Sequence, residues 1–256
     1  MRDADTAMYH AKQRGKARHE LFDADMHART RDRLGLENDL RHAVSNNDFE
    51  VQYQPIVSLA TGTCVGFESL VRWTRNGEAI SPATFIPIAE ELGLIEALGS
   101  WIMEEACHTF ADWQRRFPQS GLNWITVNVS SRQLVQQNFP RVVRDVVETT
   151  GLKPADLRVE ITETALLDNP GEAADVLREL RNFGVKVYLD DFGTGYSSLS
   201  YLRRFPLDSL KIDRSFTMDL TTNAEIASIV TAVIEMAHSL GLRAVAEGVE
   251  TKEQEA

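Results

Sequence analysis

The stretch that decides the fold is Val185–Asp213, which reads VKVYLDDFGTGYSSLSYLRRFPLDSLKID. It opens with an apolar run that ends in the adjacent pair Asp190 and Asp191, and it closes with a second apolar run, Ser209–Asp213. A helical pattern at Ser198–Leu202 lies between them. Two strands joined by a helical connection are typical of a parallel βαβ unit, so the stretch predicts two neighbouring parallel strands.

The same rhythm of strand and helix extends along most of the chain. Besides the two strands above, further strands are predicted at Trp124–Val129, Leu157–Thr162 and Arg243–Ala246. Helices are predicted at Leu34–Asn46, Pro82–Leu92, Ile95–Phe117, Pro140–Thr149, Glu172–Phe183 and Ala224–Leu240. Alternation of this kind favours a parallel sheet with crossover helices.

The sheet is expected to begin with an antiparallel strand. Val51–Leu59 and Cys64–Trp73 are joined by a short turn, which can connect only antiparallel strands. We therefore predict an α/β fold, a TIM-like β/α barrel with an antiparallel first strand. Seven strands are predicted where a closed barrel has eight, so we expect this chain to lack the eighth strand and the last helix, with a further helix just beginning at Lys252.

Composition excludes several classes of function. The chain has 256 residues and a net charge of −11, which argues against binding to DNA or to an anionic membrane surface. No apolar run approaches the ~20 residues of a membrane span. Cys64 and Cys107 are not spaced as CxxC and are expected to be buried structural thiols in a reducing compartment. We expect a cytoplasmic protein, with any membrane anchor lying upstream.

Six successive predicted strands place charged or amide side chains among apolar neighbours at one rim. In strand order these are Glu68, Asn128, Glu160, Asp190 with Asp191, Lys211 and Glu247. Clustered buried carboxylates are costly unless a cation offsets them, and Lys211 alone is not enough. All the candidate ligands are oxygen donors, which favours Mg²⁺ or Mn²⁺, and the adjacent Asp pair suits a two-metal centre that activates water against a phosphate ester.

Other polar residues leave alternatives open. A single acidic residue at a strand end is usually a helix cap or a solvated rim residue. We interpret Asp213 mainly as structural, and Glu163 as a cap or as a residue behind the metal ligands rather than as a ligand. Gln54 and Arg72 point to the rim, where Arg72 could hold a phosphate or a guanine edge or could form a surface ion pair. The glycine and hydroxyl run after the Asp pair is either a plain loop or a ligand-binding one.

Several motifs together resemble the EAL-domain cyclic-di-GMP phosphodiesterases. They are Phe67–Trp73 (FESLVRW), Val127–Ser130 (VNVS), Glu160–Glu163 (EITE), Asp190–Leu199 (DDFGTGYSSL), Leu210–Asp213 (LKID) and Glu247–Glu250 (EGVE). The match covers the chain from about Leu34 to its end, in the order of the family. Ser69 stands where the family name has alanine, and since that residue is not a metal ligand in the family, little effect is expected.

The resemblance implies a function and a site. It implies hydrolysis of cyclic di-GMP to linear pGpG by water activated between two Mg²⁺ or Mn²⁺ ions, in a domain that forms homodimers. The implied metal ligands are Glu68, Asn128, Glu160, Asp190, Asp191 and Glu247. Of these, Glu68, Asp191 and Glu247 are also assigned to catalysis, and Lys211 would orient the water or help to activate it. Gln54, Arg72, Gly195 and Ser198 are assigned to substrate binding, and Glu250 to stabilising the loop after the Asp pair.

The two ends of the chain carry further expectations. Ala4–Arg18 resembles the last helix of a GGDEF (diguanylate cyclase) domain without the cyclase signature. We assign residues 1–22 to a remnant of that domain, 23–33 to a linker and 34–256 to a C-terminally truncated EAL domain. The glutamine of the family's eighth strand is absent here. The alternatives to an enzyme are therefore a receptor that binds cyclic di-GMP without cleaving it, or an inactive fragment.

Overall fold

The computed structural model describes residues 24–193 and 204–255, with side chains from residue 31 onward. The predicted helices Ala4–Arg18 and Ser198–Leu202 lie outside the described residues, and so do Gly195 and Ser198.

The seven predicted strands occur in the predicted order, and the structure adds a short strand, β3 (Glu78–Ile80), that was not predicted. In chain order the strands are β1 (Glu50–Val57), β2 (Cys64–Arg75), β3 (Glu78–Ile80), β4 (Trp124–Asn128), β5 (Leu157–Thr162), β6 (Lys186–Phe192), β7 (Ser209–Ile212) and β8 (Arg243–Ala246). The sheet has the order β1-β2-β4-β5-β6-β7-β8, and β3 pairs with β2 outside this path. The β1–β2 pair is antiparallel and every later pair along the path is parallel, as predicted.

The helices of the described part fill the connections. They are α1 (Ala24–Asn46), α2 (Pro82–Glu91), α3 (Ile95–Arg116), α4 (Ser131–Leu134), α5 (Phe139–Thr150), α6 (Glu163–Asp168), α7 (Pro170–Phe183), α8 (Arg214–Met218), α9 (Ala224–Ser239) and α10 (Lys252–Glu255). The predicted long helices agree with these bounds to within two residues, except that α1 begins at Ala24 rather than Leu34. The early part of α1 has no apolar stripe, so periodicity could not predict it.

The described chain forms two compact units. The first contains residues 24–49 and 73–94 and has an aromatic cluster in which Phe49, Trp73 and Phe85 lie with ring centroids 5.6–6.1 Å apart. The second contains residues 50–72, 95–193 and 204–255. It includes β1, the part of β2 that ends at Arg72, and β4 to β8. The central strand β5 is buried on both faces from Leu157 to Ile161, and this buried stretch includes the charged residues Arg158 and Glu160.

A glycine lets the second unit accommodate a large ring at the start of β4. Gly66 pairs with Trp124 across the β2–β4 ladder. A Cβ at this position would lie 2.5 Å from the indole Nε1 of Trp124, closer than side chains can approach. Position 66 therefore has room only for glycine.

No described helix is both long and apolar enough to cross a membrane.

The expectation that both cysteines are buried is correct only for Cys107. Cys107 lies on the buried face of α3 with no exposed surface, and burial raises the pKa of its thiol to about 12. Cys64 is half-buried at the start of β2, where its Sγ donates to the carbonyl of Gly66. Its position at a strand end next to a turn leaves one side open to solvent.

This difference predicts selective alkylation of the folded protein. The thiolate is the reactive form, and a pKa raised to about 12 keeps Cys107 protonated at mildly alkaline pH. Iodoacetamide should therefore label Cys64 in the native state and reach Cys107 only after denaturation, as measured by intact mass. The Cys64→Ser variant is the control, and rapid labelling of that variant while folded would contradict the burial of Cys107.

Candidate metal centre

Parallel pairing brings the predicted polar side chains to one end of the sheet. Asn128 pairs with Glu160, and Thr126, two residues before Asn128, pairs with Glu68. Side chains two residues apart in a strand share a face, so Glu68, Asn128 and Glu160 lie on the same face. Lys211 of β7 comes from the same end of the sheet, and Glu247 directly follows β8.

Lys211 is the centre of this group. Its Nζ lies 2.8 Å from Glu160 Oε2, 3.1 Å from Glu68 Oε2, 3.2 Å from Asp190 Oδ1 and 2.6 Å from Glu247 Oε1. Only 3% of the lysine side chain is exposed, and Glu160 is fully buried. One ammonium group thus gathers carboxylates from four different parts of the chain.

A backbone irregularity aims the Asp pair at the same place. Consecutive strand residues normally point to opposite faces, yet Asp190, Asp191 and Glu247 each offer an oxygen within 4.8 Å of the others. The β6–β7 register shifts between Leu189 and Phe192, and Asp191 has a φ of 54°. This bulge, together with a hydrogen bond of 3.0 Å from the Asp191 amide to Asp190 Oδ1, turns both carboxylates to one side.

The cluster has more negative charge than its one cation can balance. Burial, and then repulsion by Glu68 and Asp190, outweigh Lys211 and raise the pKa of Glu160 to about 8. Burial likewise raises the pKa of Glu247 to about 7, and it raises the pKa of Asp191 above the ordinary range. All three pKa shifts have the same cause, because burial and neighbouring negative charge both disfavour the ionised form of a carboxyl group.

The donor set fits hard divalent cations. The second oxygen of Glu160, Oε1, is buried and has no hydrogen-bond partner among the described residues. Such an orphaned carboxylate oxygen is a ligand position for a cation. All the gathered donors are oxygens, as Mg²⁺ and Mn²⁺ require. Asn128 lies beside Glu68, to which its amide nitrogen donates at 3.0 Å, which leaves the amide oxygen available.

The predicted substrate residues of β1 and β2 lie beside this cluster. Gln54 pairs with Glu68 and is exposed. Arg72 is half-buried and donates from Nε to Gln52 Oε1 at 3.0 Å and from Nη1 to the Val71 carbonyl. Among the described residues Arg72 forms no ion pair with a carboxylate. Its acceptors in the described part of the chain are an uncharged amide and a backbone carbonyl, and its role in substrate binding stays a prediction.

The turn after β8 is held by Arg214 and Gln254, which the sequence did not single out, together with Glu250, which it did. Arg214, the first residue of α8, lies 3.2 Å from Glu250, and Gln254 donates to the carbonyl of Thr217 at 3.1 Å. The side-chain oxygen of Gln254 also accepts from the amide of Glu250. No sequence signal marks Arg214 and Gln254, because their contacts form only once β7 and β8 are paired. They fix the turn that carries Glu247.

Three secondary assignments can be examined in the structure. Asp213 is the N-cap of α8, where its carboxylate accepts from the amide of Ser215, so its structural interpretation is confirmed. Glu163 is the first residue of α6, which Thr162 caps. Ser69 is buried and donates to the Thr126 carbonyl at 2.8 Å, so its hydroxyl is satisfied between β2 and β4.

Comparison with known proteins identifies relatives of the whole arrangement. The family model described as "EAL domain" matches residues 37–256. An uncharacterized signaling protein of Caulobacter vibrioides is 44% identical over 99% of this chain, which spans 31% of that protein. The cyclic di-GMP phosphodiesterase PdeR of Escherichia coli is 37% identical over 100% of this chain, which spans 38% of it. The chain thus spans about a third of the length of these curated relatives.

A solved structure agrees with the fold. The structure described as the PaMucR phosphodiesterase in complex with c-di-GMP superposes with a TM-score of 0.80 at 37% identity and covers 86% of this chain and 89% of the other. The described fold is thus that of the TIM-like EAL barrels.

The close packing of Gly248 predicts a test of the turn that carries Glu247. Gly248 has a φ of 67°, and a Cβ there would lie 2.5 Å from Arg214 Cγ. Gly241 has a φ of 74° but open space around it. Both Gly→Ala substitutions strain the backbone by about 1–3 kcal/mol. Only Gly248→Ala should also displace Glu247 and weaken Mn²⁺ binding in calorimetry, by about tenfold.

The Gly241→Ala variant is the matched control for backbone strain. It should lose thermal stability and keep its affinity for Mn²⁺. Equal Mn²⁺ affinities for the two variants would show that contact with Arg214 does not position the turn.

Proposed function

The chain belongs to the EAL-domain family, and we propose that it is a cyclic-di-GMP phosphodiesterase that opens its substrate to linear pGpG. The observation that carries the proposal is the gathering of four carboxylates around the buried Lys211 at the carboxyl end of a parallel sheet. Support also comes from the name of the Escherichia coli relative, which is a cyclic di-GMP phosphodiesterase.

Six residues of the cluster would hold two Mg²⁺ or Mn²⁺ ions. They are Glu68, Asn128, Glu160, Asp190, Asp191 and Glu247. Such ions supply a nucleophilic water at neutral pH and offset the charge of a phosphodiester under attack. The buried, unpartnered Oε1 of Glu160 and the surplus of carboxylates over the single lysine support this assignment.

Lys211 would act by charge and position and not as a base. Burial by itself would lower its pKa, but the charges of Glu160, Asp190, Glu68 and Glu247 outweigh burial and raise the pKa above the ordinary range for lysine. The side chain therefore stays an ammonium group at any working pH. Three N–H donors at this point can hold the carboxylates in place and orient a water or a phosphate oxygen.

Substrate contacts are proposed for the residues beside the cluster. Gln54 pairs with Glu68 and is exposed, so its amide can reach a ligand that lies over the carboxylates. Arg72 has hydrogen-bonding capacity left after its contacts with Gln52 and Val71, and it suits a phosphate or a guanine edge. Gly195 and Ser198 remain predicted contacts, since they lie outside the described residues.

Three further parts of the proposal concern the loop after the Asp pair, the oligomeric state and the start of the chain. Glu250 would steady the loop after the Asp pair, and its ion pair with Arg214 ties it to α8, which follows β7. Homodimerisation through the EAL domain and the assignment of residues 1–22 to a GGDEF remnant remain predictions. Sedimentation equilibrium with and without Mg²⁺ measures homodimerisation.

The direct test follows cyclic di-GMP by chromatography with Mg²⁺, with Mn²⁺ and without metal. Metal-dependent appearance of pGpG is expected. Glu68→Ala should lower the rate by more than about 100-fold, because a ligand of the metal is lost along with a partner of Lys211. Glu148→Ala, at an exposed position on α5, is the control and should keep full activity.

The outcomes separate the alternatives. Equal rates for Glu68→Ala and the unaltered chain would overturn the proposed mechanism. Tight binding of cyclic di-GMP with no metal-dependent pGpG would favour a receptor module instead.

The buried position of Lys211 predicts a large loss of stability in Lys211→Met. Removing one partner of a buried ion pair leaves uncompensated charge, which costs about 3–5 kcal/mol. We expect a loss of this size in the free energy of unfolding, measured by urea denaturation of the metal-free protein.

Lys186→Met is the matched control on the neighbouring strand. Lys186 pairs with Asp208 at 3.0 Å, but 40% of its side chain is exposed. Its loss should cost about 0.2–1 kcal/mol. Similar losses for the two lysine variants would contradict the central role of Lys211 in the cluster.

A further inference from the structure

A polar cavity lies at the amino-terminal end of the strands, opposite the carboxylate cluster. Its volume is about 480 Å³, and its lining includes three basic side chains and one acidic one: Lys153, Arg158, Arg243 and Asp156. Arg158 stands two residues before Glu160 in β5, and Arg243 opens β8. The cavity is thus separate from the carboxylate cluster, which lies at the carboxyl end.

Arg158 is the buried member of this lining. Only 7% of the residue is exposed, and its guanidinium lies over the ring of Trp124 with 3.4 Å between Cζ and the ring centroid. Tyr188 lies on the β6 side, 5.1 Å from Cζ. The Nε and Nη1 atoms have no hydrogen-bond partner among the described residues. A buried guanidinium with unmade hydrogen bonds is costly, and it favours an anionic acceptor.

The other two cations of the cavity are exposed and have no acidic partner. Neither Lys153 nor Arg243 forms an ion pair with any carboxylate in the described part of the chain. Asp156, the acidic residue in the lining, accepts from Gln114 at 3.0 Å. Asp208, which precedes β7, forms an ion pair with Lys186.

The charge of this cavity opposes that of the chain as a whole. The chain has a net charge of −11, yet three cations and one carboxylate line this space. The cations outnumber the single carboxylate, and their mutual repulsion is a cost to the folded state that a bound anion would reduce.

We propose that this cavity binds a small phosphate-bearing anion through Lys153, Arg158 and Arg243. Arginine and lysine side chains recognise phosphate oxygens by charge-assisted hydrogen bonds, and a guanidinium held flat against an indole ring is already ordered for this. The volume of about 480 Å³ lies in the range of small-molecule sites, so either free phosphate or a phosphate ester of nucleotide size fits.

The test measures binding to the full chain, freed of metal so that the carboxylate cluster cannot hold phosphate through a cation. Inorganic phosphate and guanosine 5′-monophosphate are titrated by calorimetry, with guanosine as the uncharged control. Saturable binding of at least one phosphate compound is expected, and guanosine should not bind. Binding of the monophosphate alone would identify an ester as the ligand, whereas equal binding of both would identify the free anion.

Two exposed positions keep the test independent of folding. Arg243→Gln and Lys153→Gln should each weaken binding by about tenfold, the effect of one lost charge-assisted hydrogen bond. Arg141→Gln removes an arginine of α5 that is 84% exposed and outside the cavity, and it should leave the affinity unchanged. Absence of saturable binding, equal binding of guanosine, or the same affinity in all three variants would overturn the proposal.

Discussion

The interaction on which the rest of the structure depends is the contact of Lys211 with four carboxylates. Its Nζ lies within 3.2 Å of Glu160, Glu68, Asp190 and Glu247, which come from β5, β2, β6 and the turn after β8. Such a cluster is tolerable only if every partner arrives at the same height, because a buried carboxylate that misses its cation is costly. Parallel strands in register place the carboxylates at the same height, so the cluster can form only in a sheet with this strand order and register.

The regular sheet alone would not complete the site. Asp191 would point away from Asp190 in an undisturbed strand, and the bulge with its positive φ at Asp191 turns it back. Glu247 follows β8 in a turn that α8 holds through Arg214 and Gln254. Irregular backbone therefore occurs where carboxylates are turned into the cluster, consistent with the general association of bulges with active sites.

The two ends of the strands have opposite electrostatic character. The carboxyl end concentrates carboxylates around one lysine, and the amino end concentrates Lys153, Arg158 and Arg243 around a cavity. Arg158 and Glu160 are two residues apart in β5, so their side chains lie on the same face of the sheet. Arg158 belongs to the amino end and Glu160 to the carboxyl end. The strand β5 thus contributes one residue to the carboxylate cluster and one to the basic cavity. The guanidinium of Arg158 stacks on the ring of Trp124.

The sequence by itself determined the strand order, the antiparallel first pair and the group of polar residues at the strand ends. These are local signals, since the alternation of apolar and charged residues in Leu157–Ile161 differs from helical periodicity, and a carboxylate such as Glu160 between apolar residues is conspicuous. Only the tertiary structure decided the direction of Asp191, the partner of Glu250, the exposure of Cys64 and the stacking of Arg158 on Trp124. Each of these depends on which distant residues pairing and packing bring together, and no local pattern encodes that.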